Sequence, residues 1–131
     1  MIKTVLAYDI EPGVSVEEYE RWLFEVHAPD IMANPHVDRL LFDTVLGPVR
    51  QASGGTVAID GPVYYRIAEM HFADEAAYQR YLDWFAEHPI PAERSPKGRT
   101  IFRFYLVTDV IEVDRTTPLP PSFVDEAKAA G

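Results

Sequence analysis

Hydrophobic and polar residues change their spacing several times along the chain, and each change predicts a new element of secondary structure. Alternating apolar and polar positions predict strands at residues 3–10, 36–46, 63–72 and 100–113. Apolar residues at helical spacing predict one helix that starts at Ser15 and a second helix over residues 73–88. The chain therefore contains four strands and two main helices in the order β-α-β-β-α-β.

The first helix has a clear beginning and an open question at its end. Ser15 is followed three residues later by Glu18, which is the S-x-x-E pattern of a capping box. Pro29 has no amide hydrogen to donate to the carbonyl of Glu25. We therefore expect the helix to end or kink near Ala28.

The order β-α-β-β-α-β predicts a ferredoxin-like α+β fold, in which a four-stranded antiparallel sheet carries both helices on one face. Apolar side chains nevertheless occupy both faces of the last strand, with Phe102 and Phe104 alternating with Ile101 and Tyr105. An antiparallel sheet with one face in water is apolar on one side only. We expect the second face to pack on another copy of the chain, in a homodimer. An unpaired face with ordinary aromatic side chains is the alternative.

The remaining segments contain many of the Gly and Pro residues of the chain. Residues 47–62 are predicted to form a long loop, and residues 114–131 a polar, Pro-rich C-terminal tail with a short helix from Ser122. We expect residues 1–113 to form a single domain, since 131 residues leave room for little else.

Composition removes several classes of function. A net charge of -9, from 21 acidic and 12 basic residues, repels phosphate backbones and argues against nucleic acid as a partner. Without cysteine the chain has no disulfide, thiolate nucleophile or cysteine metal site. Residues 1–10 lack a signal-peptide pattern, and no apolar run approaches the roughly 18 residues of a membrane span. We expect a cytoplasmic protein that does not bind membranes.

Two segments carry a likeness to a known family. The stretch VSVEEYERWLFEVHAPDI, with its His-x-Pro, and the stretch IAEMHFADEAAYQRYL resemble the EthD-like group of the dimeric α/β-barrel superfamily. That group includes a methylmuconolactone isomerase, and the resemblance covers roughly residues 3 to 112. It implies that two sheets pair as a dimeric α/β barrel and that each subunit keeps a pocket between its sheet and helices. Met70 stands where some relatives carry a cysteine, and Pro91 stands where some cyclases carry a histidine.

His27 is the strongest candidate for catalysis. It lies beside Val26 and four residues after Leu23, at the edge of the apolar stripe of the first helix. An imidazole there could move a proton at neutral pH, or it could simply interact with the last carbonyls of the helix. Asp30 follows at i+3. It is either a second catalytic residue that orients the imidazole or a solvated surface acid, depending on whether the helix continues past Pro29.

The expected pocket draws further residues from both helices and from the strand faces that meet them. The residues expected to bind substrate are Tyr19, Leu23, Arg66, Met70, Tyr81, Phe85, His88 and Phe104. A buried Arg66 needs an anionic partner, either a substrate carboxylate or a protein acid such as Asp43. His88 ends the second helix, where it suits the negative helix terminus and could also reach the pocket mouth.

The leading hypothesis is a cofactor-independent enzyme of isomerase, cyclase or lyase type. Its substrate would be a small apolar or aromatic ligand, namely a cyclic or aromatic acid, lactone or ketone, with His27 as the proton shuttle. Neither a metal nor another cofactor is expected, since the spacing of the four histidines matches no ligand motif. Two alternatives stay open: a cofactor-free monooxygenase of the same fold, and a non-catalytic dimer that binds a small molecule.

Overall fold

A computed structural model describes residues 1–58 and 63–131 and confirms the four-stranded antiparallel sheet. The strands are β1 (Ile2–Ile10), β2 (Arg39–Thr44), β3 (Arg66–Phe72) and β4 (Thr100–Asp109). They lie in the order β2-β3-β1-β4, which is the ferredoxin-like arrangement predicted from the element order.

The helices cover one face of this sheet. They are α1 (Val16–Trp22), α2 (Ala28–Met32) and α3 (Glu75–Glu87), and a 3₁₀ turn follows at Ala92–Arg94. Alternate residues of β3 are buried, with Ala68, Met70 and Phe72 directed toward the helices. Tyr19 of α1 and Tyr81 of α3 pack onto that face in two neighbouring apolar clusters. The α+β class and the placement of both helices on one face are therefore confirmed.

The first helical segment does not end near Ala28. Residues Leu23–His27 form a π-helical turn, and the amide of Ala28 donates to the carbonyl of Leu23 across that turn. Pro29 then lies in the first turn of α2, where the helix needs no hydrogen bond from the amide of that residue. The segment continues to Met32, four residues beyond the end that Pro29 alone would indicate.

A β-bulge in the pairing of β4 changes which side chains share a face. Tyr8 of β1 is opposite Phe102, whereas its neighbour Ala7 is opposite Phe104, so Arg103 has no partner of its own. Simple alternation placed Phe102 and Phe104 together on the helix side. The inserted residue leaves Phe102 there and moves Phe104 to the outer face of the sheet.

The loop and the tail follow their sequence patterns. The predicted loop 47–62 is irregular up to residue 58, with one bridge between Arg50 and Thr56, and its last four residues lie outside the described part. In the tail, α4 (Phe123–Ala130) begins with a capping box at Ser122, and every residue of that helix is exposed. Among residues 1–58 and 63–131 no helix has the length and apolar character to cross a bilayer.

Two serine N-caps allow the domain boundary to be tested. The hydroxyl of Ser15 accepts the amide of Glu18 at the start of α1, and Ser122 caps α4 in the same way. We expect Ser15→Ala to lower the free energy of unfolding by about 1 kcal/mol, because α1 packs on the sheet. Urea unfolding followed by far-UV circular dichroism measures this loss.

Ser122→Ala is the matched control. It removes the same kind of cap from an exposed helix, so the main transition should stay within about 0.5 kcal/mol of the wild type. Equal losses in both variants would place the tail inside the cooperative domain and contradict a boundary at residue 113.

Candidate functional site

A cavity of about 220 Å³ lies between the sheet and the first helical segment. Its sheet side is formed by Leu6, Tyr8, Leu40, Phe42, Ala68, Met70, Phe102 and Tyr105. Its helix side is formed by Tyr19, Trp22, Leu23, His27 and Ile31, and it is closed by Ile90, Pro96 and Thr100. The lining is mainly apolar and aromatic. A cavity of about 150 Å³ is known to hold benzene, so this one has room for a substituted ring.

The π turn determines how His27 faces this cavity. Trp22 and His27 are five residues apart, and in a regular α-helix they would be separated by about 140° around the axis. Hydrogen bonding from i to i+5 brings them to the same side. Their rings are stacked, with centroids 4.8 Å apart and planes inclined by 17°. The indole Nε1 in turn donates to the carbonyl of Arg94 at 3.0 Å, which holds the stacked pair in place.

The imidazole of His27 is in an apolar environment. Burial lowers its pKa below the ordinary value of 6.5, and the nearby carboxylate of Asp30 opposes this effect only in part. Nδ1 is buried and has no hydrogen-bond partner among the residues that the structure describes. His27 is therefore neutral at pH 7, which is the form that accepts a proton.

Asp30 does not orient the imidazole through a hydrogen bond. Both of its carboxylate oxygens accept from Arg94, at 2.9 and 2.8 Å, in a bidentate ion pair. The hydrogen bonds and charge of Arg94 hold the pKa of Asp30 below its usual range. Asp30 thus ties α2 to the segment of residues 90–99, which supplies one wall of the cavity.

Arg66 lies behind the cavity wall and is not part of its lining. Its Nη1 is 2.9 Å from Oε1 of Glu20, and the same nitrogen donates to the phenol oxygen of Tyr8 at 3.3 Å. Its Nε donates to the hydroxyl of Thr44. The required anionic partner is therefore Glu20, whereas the sequence had suggested Asp43 or a substrate carboxylate.

Of the ten residues predicted for the site, the structure brings four to the cavity: Tyr19, Leu23, His27 and Met70. Tyr81 is buried one layer away, where its hydroxyl donates to Sδ of Met70, and Phe85 packs against its ring. His88 is exposed and stacks on Trp84. Phe104 faces the other side of the sheet because of the β4 bulge, and it contacts Tyr64.

Several lining residues were not predicted. Tyr8 alternates with Leu6 on the helix side of β1, and Trp22 is three residues after Tyr19, so both were within reach of pattern analysis. Phe102 and Tyr105 share the cavity face although they are three positions apart, and their ring centroids lie 6.0 Å apart. Alternation alone cannot place such a pair, because the bulge between them leaves no mark on the pattern.

No metal cluster is formed in the part of the chain that the structure describes: it contains no group of three or more His, Asp and Glu side chains placed to hold an ion. The polar groups of the cavity are instead one imidazole and a few hydroxyls, from Tyr8, Tyr19, Thr100 and Tyr105. Such a set can bind a carbonyl or hydroxyl oxygen and can transfer a proton.

Solved structures with a similar fold place the chain among ferredoxin-like proteins. HapK from Hahella chejuensis superposes with a TM-score of 0.57 at 12% identity, over 90% of this chain and 100% of its own. An ethyl tert-butyl ether D (EthD) family protein from Bacillus halodurans gives 0.53 at 14% identity, over 85% and 100%. A DABB family protein with a ferredoxin-like fold from Mesorhizobium loti gives 0.52 at 19% identity, over 86% and 97%.

These likenesses confirm the ferredoxin-like α+β fold of the single chain. At identities of 12 to 19%, such likenesses show the fold alone. No protein-family model and no curated protein sequence matches the chain.

The half-buried imidazole of His27 should make the free energy of unfolding depend on pH. The unfolded chain binds a proton at His27 as the pH falls below 6.5, but the folded protein does not until its lower pKa is reached. Stability is therefore lost on acidification through this window, by about 1.4 kcal/mol for each unit of depression. Urea unfolding of wild type and His27→Gln at several pH values between 5 and 8 measures the difference.

The glutamine variant keeps a polar side chain but cannot titrate, so its stability should fall less steeply between pH 6.5 and pH 5. Acidic groups elsewhere affect both proteins equally and cancel in the comparison. Parallel curves would show that His27 titrates as it does in water, contrary to its buried placement.

Proposed function

We propose that the protein is a cofactor-independent enzyme in which His27 moves a proton on a small ring-bearing acid, lactone or ketone. The observation that carries the proposal is an imidazole, stacked on Trp22, in the lining of an apolar cavity. Isomerisation, cyclisation and elimination all need a base that takes a proton from carbon or oxygen and returns it elsewhere.

The geometry supports this role in two ways. Stacking on Trp22 fixes the plane of the imidazole, so its nitrogens need not be ordered during the reaction. The mainly apolar lining lowers the local dielectric, which strengthens any electrostatic interaction made inside the cavity. A volume of about 220 Å³ favours a ligand with one ring and short substituents.

We propose further that the working form is a homodimer that pairs the outer faces of two sheets. Leu106 is opposite Val5 on that face, and its side chain is 56% exposed in the single chain. Phe104 lies on the same face, opposite Ala7. An apolar sheet face of this kind favours a partner over water, and a twofold pair uses the same surface twice.

Hydrogen exchange at carbon tests the proton-shuttle proposal. 2-Indanone, a flat ketone with acidic hydrogens beside its carbonyl, serves as the probe in D₂O, and ¹H NMR measures the loss of those hydrogens. We expect exchange at least tenfold faster with the protein than in matched buffer, because a placed base contributes about 10²-fold or more. His27→Asn should return the rate to the buffer value.

His36→Asn is the control, since it removes a histidine that lies outside the cavity lining. Its exchange rate should match that of the wild type. Exchange that survives in His27→Asn would contradict the proposal. Saturable binding of the ketone by the wild type without exchange would favour the non-catalytic binding protein instead.

The dimer is tested by mass in solution. Sedimentation velocity of the wild type should give twice the chain mass of 14.9 kDa. Leu106→Glu puts a charge on the outer sheet face and should give a single chain mass, because a buried unpaired carboxylate is costly. Leu82→Glu changes an exposed leucine of α3, on the helix side, and should remain dimeric. A wild-type monomer contradicts the pairing.

A further inference from the structure

Tyr8 brings a hydroxyl donor to the lining of the cavity. Tyr8 is 2% exposed and lies in the cavity lining. Its oxygen accepts from Nη1 of Arg66 at 3.3 Å. A guanidinium carries donors only, so the hydroxyl hydrogen of Tyr8 is left for a different acceptor. The neighbouring hydroxyl of Tyr19 is one such acceptor, and an oxygen of a ligand in the cavity is another.

The charge behind Tyr8 is already neutralised. Nη1 of Arg66 is paired with Glu20 at 2.9 Å, and the guanidinium lies within 5.0 to 6.0 Å of the ring centroids of Phe24, Phe42 and Tyr65. A ligand carboxylate entering the cavity would therefore face the Arg66–Glu20 ion pair, which has no net charge, and would lose its own hydration. A neutral carbonyl needs only the phenol donor.

The two polar groups are separated by an aromatic wall. Ring contacts run from Tyr8 to Tyr19 at 5.7 Å, from Tyr19 to Trp22 at 5.4 Å, and from Trp22 to His27 at 4.8 Å. A flat ligand lying along this wall can contact both Tyr8 and His27. The hydroxyl of Tyr8 and the imidazole of His27 therefore belong to one continuous row of aromatic contacts.

We infer that the cavity selects a neutral ketone or lactone, whose carbonyl oxygen accepts a hydrogen bond from Tyr8 while a neighbouring carbon faces His27. This rests on the proposed function and narrows its substrate class. When the carbon–hydrogen bond breaks, the proton goes to a nitrogen of His27 and the electron pair moves toward the carbonyl oxygen. The resulting enolate is held by Tyr8, whose hydrogen bond strengthens as charge develops. Arg66 is a positioning residue, because it acts through Tyr8.

Three probes of one shape test the inference on the full chain. Acetophenone carries a carbonyl, α-methylstyrene replaces that oxygen by a methylene group, and benzoate carries a full charge. Isothermal titration should show that Tyr8→Phe weakens acetophenone binding about three- to tenfold, the usual effect of one hydrogen bond, and leaves α-methylstyrene unchanged. Benzoate should bind the wild type more weakly than acetophenone does.

Tyr65→Phe is the matched control. The hydroxyl of Tyr65 donates to Glu20 in the same network, but Tyr65 lies outside the cavity lining. Its loss should change the binding of none of the three probes. Infrared spectra give a second reading: the carbonyl stretch of bound acetophenone should lie lower in the wild type than in Tyr8→Phe.

Two results overturn the inference without affecting the role of His27. In the first, Tyr8→Phe weakens the binding of acetophenone and of α-methylstyrene equally. In the second, the wild type binds benzoate more tightly than acetophenone. A carbonyl stretch in the wild type equal to that in cyclohexane overturns it even if the variant fails to fold. If no probe binds the wild type, the inference and the proposed ligand site both fail. Loss of hydrogen exchange in His27→Asn tests the proposed function separately.

Discussion

Pro29 has no amide hydrogen, and the first helical segment cannot pass it with α-helical hydrogen bonds alone. The chain meets this constraint with a π turn over Leu23–His27 and then resumes as α2. The extra residue in that turn carries His27 around the axis until it stacks on Trp22. The π turn therefore sets both the course of the helix past Pro29 and the direction in which the candidate base points.

A second constraint comes from the sheet. Tyr8 and Arg66 are directly opposite each other on β1 and β3, on the face that the helices cover, so a guanidinium is buried where a phenol can accept from it. The cost of burying that charge is offset by Glu20, which α1 supplies. The register of two strands and the position of one helix thus define the polar end of the cavity.

Sequence patterns predicted the fold well because each element carries its own signal. Ser15 and Asp74 cap the two main helices, and the alternating burial of β3 follows its sequence closely. The first helix and the last strand were less predictable. Both contain one residue more than a regular element, a π turn at His27 and a bulge at Arg103, and neither insertion leaves a mark on the hydrophobic pattern.

The same two insertions explain the mixed result at the site. Tyr19, Leu23 and Met70 lie in regular stretches, and they line the cavity as expected. Phe104 lies beyond the bulge and faces away from it. Arg66 was correctly expected to be buried with an anion, but only the folded chain shows that Glu20, 46 residues earlier, provides the carboxylate.

The stacking of Trp22 on His27 also gives the protein an optical signal of its own. An excited indole loses its energy to a protonated imidazole in contact with it more readily than to a neutral one, so fluorescence intensity follows the charge of the ring. The chain holds a second such pair, Trp84 and His88, with centroids 4.2 Å apart, at an exposed helix end. Two tryptophans thus report two histidines, one in water and one in the cavity, and emission spectra can follow both without any added label.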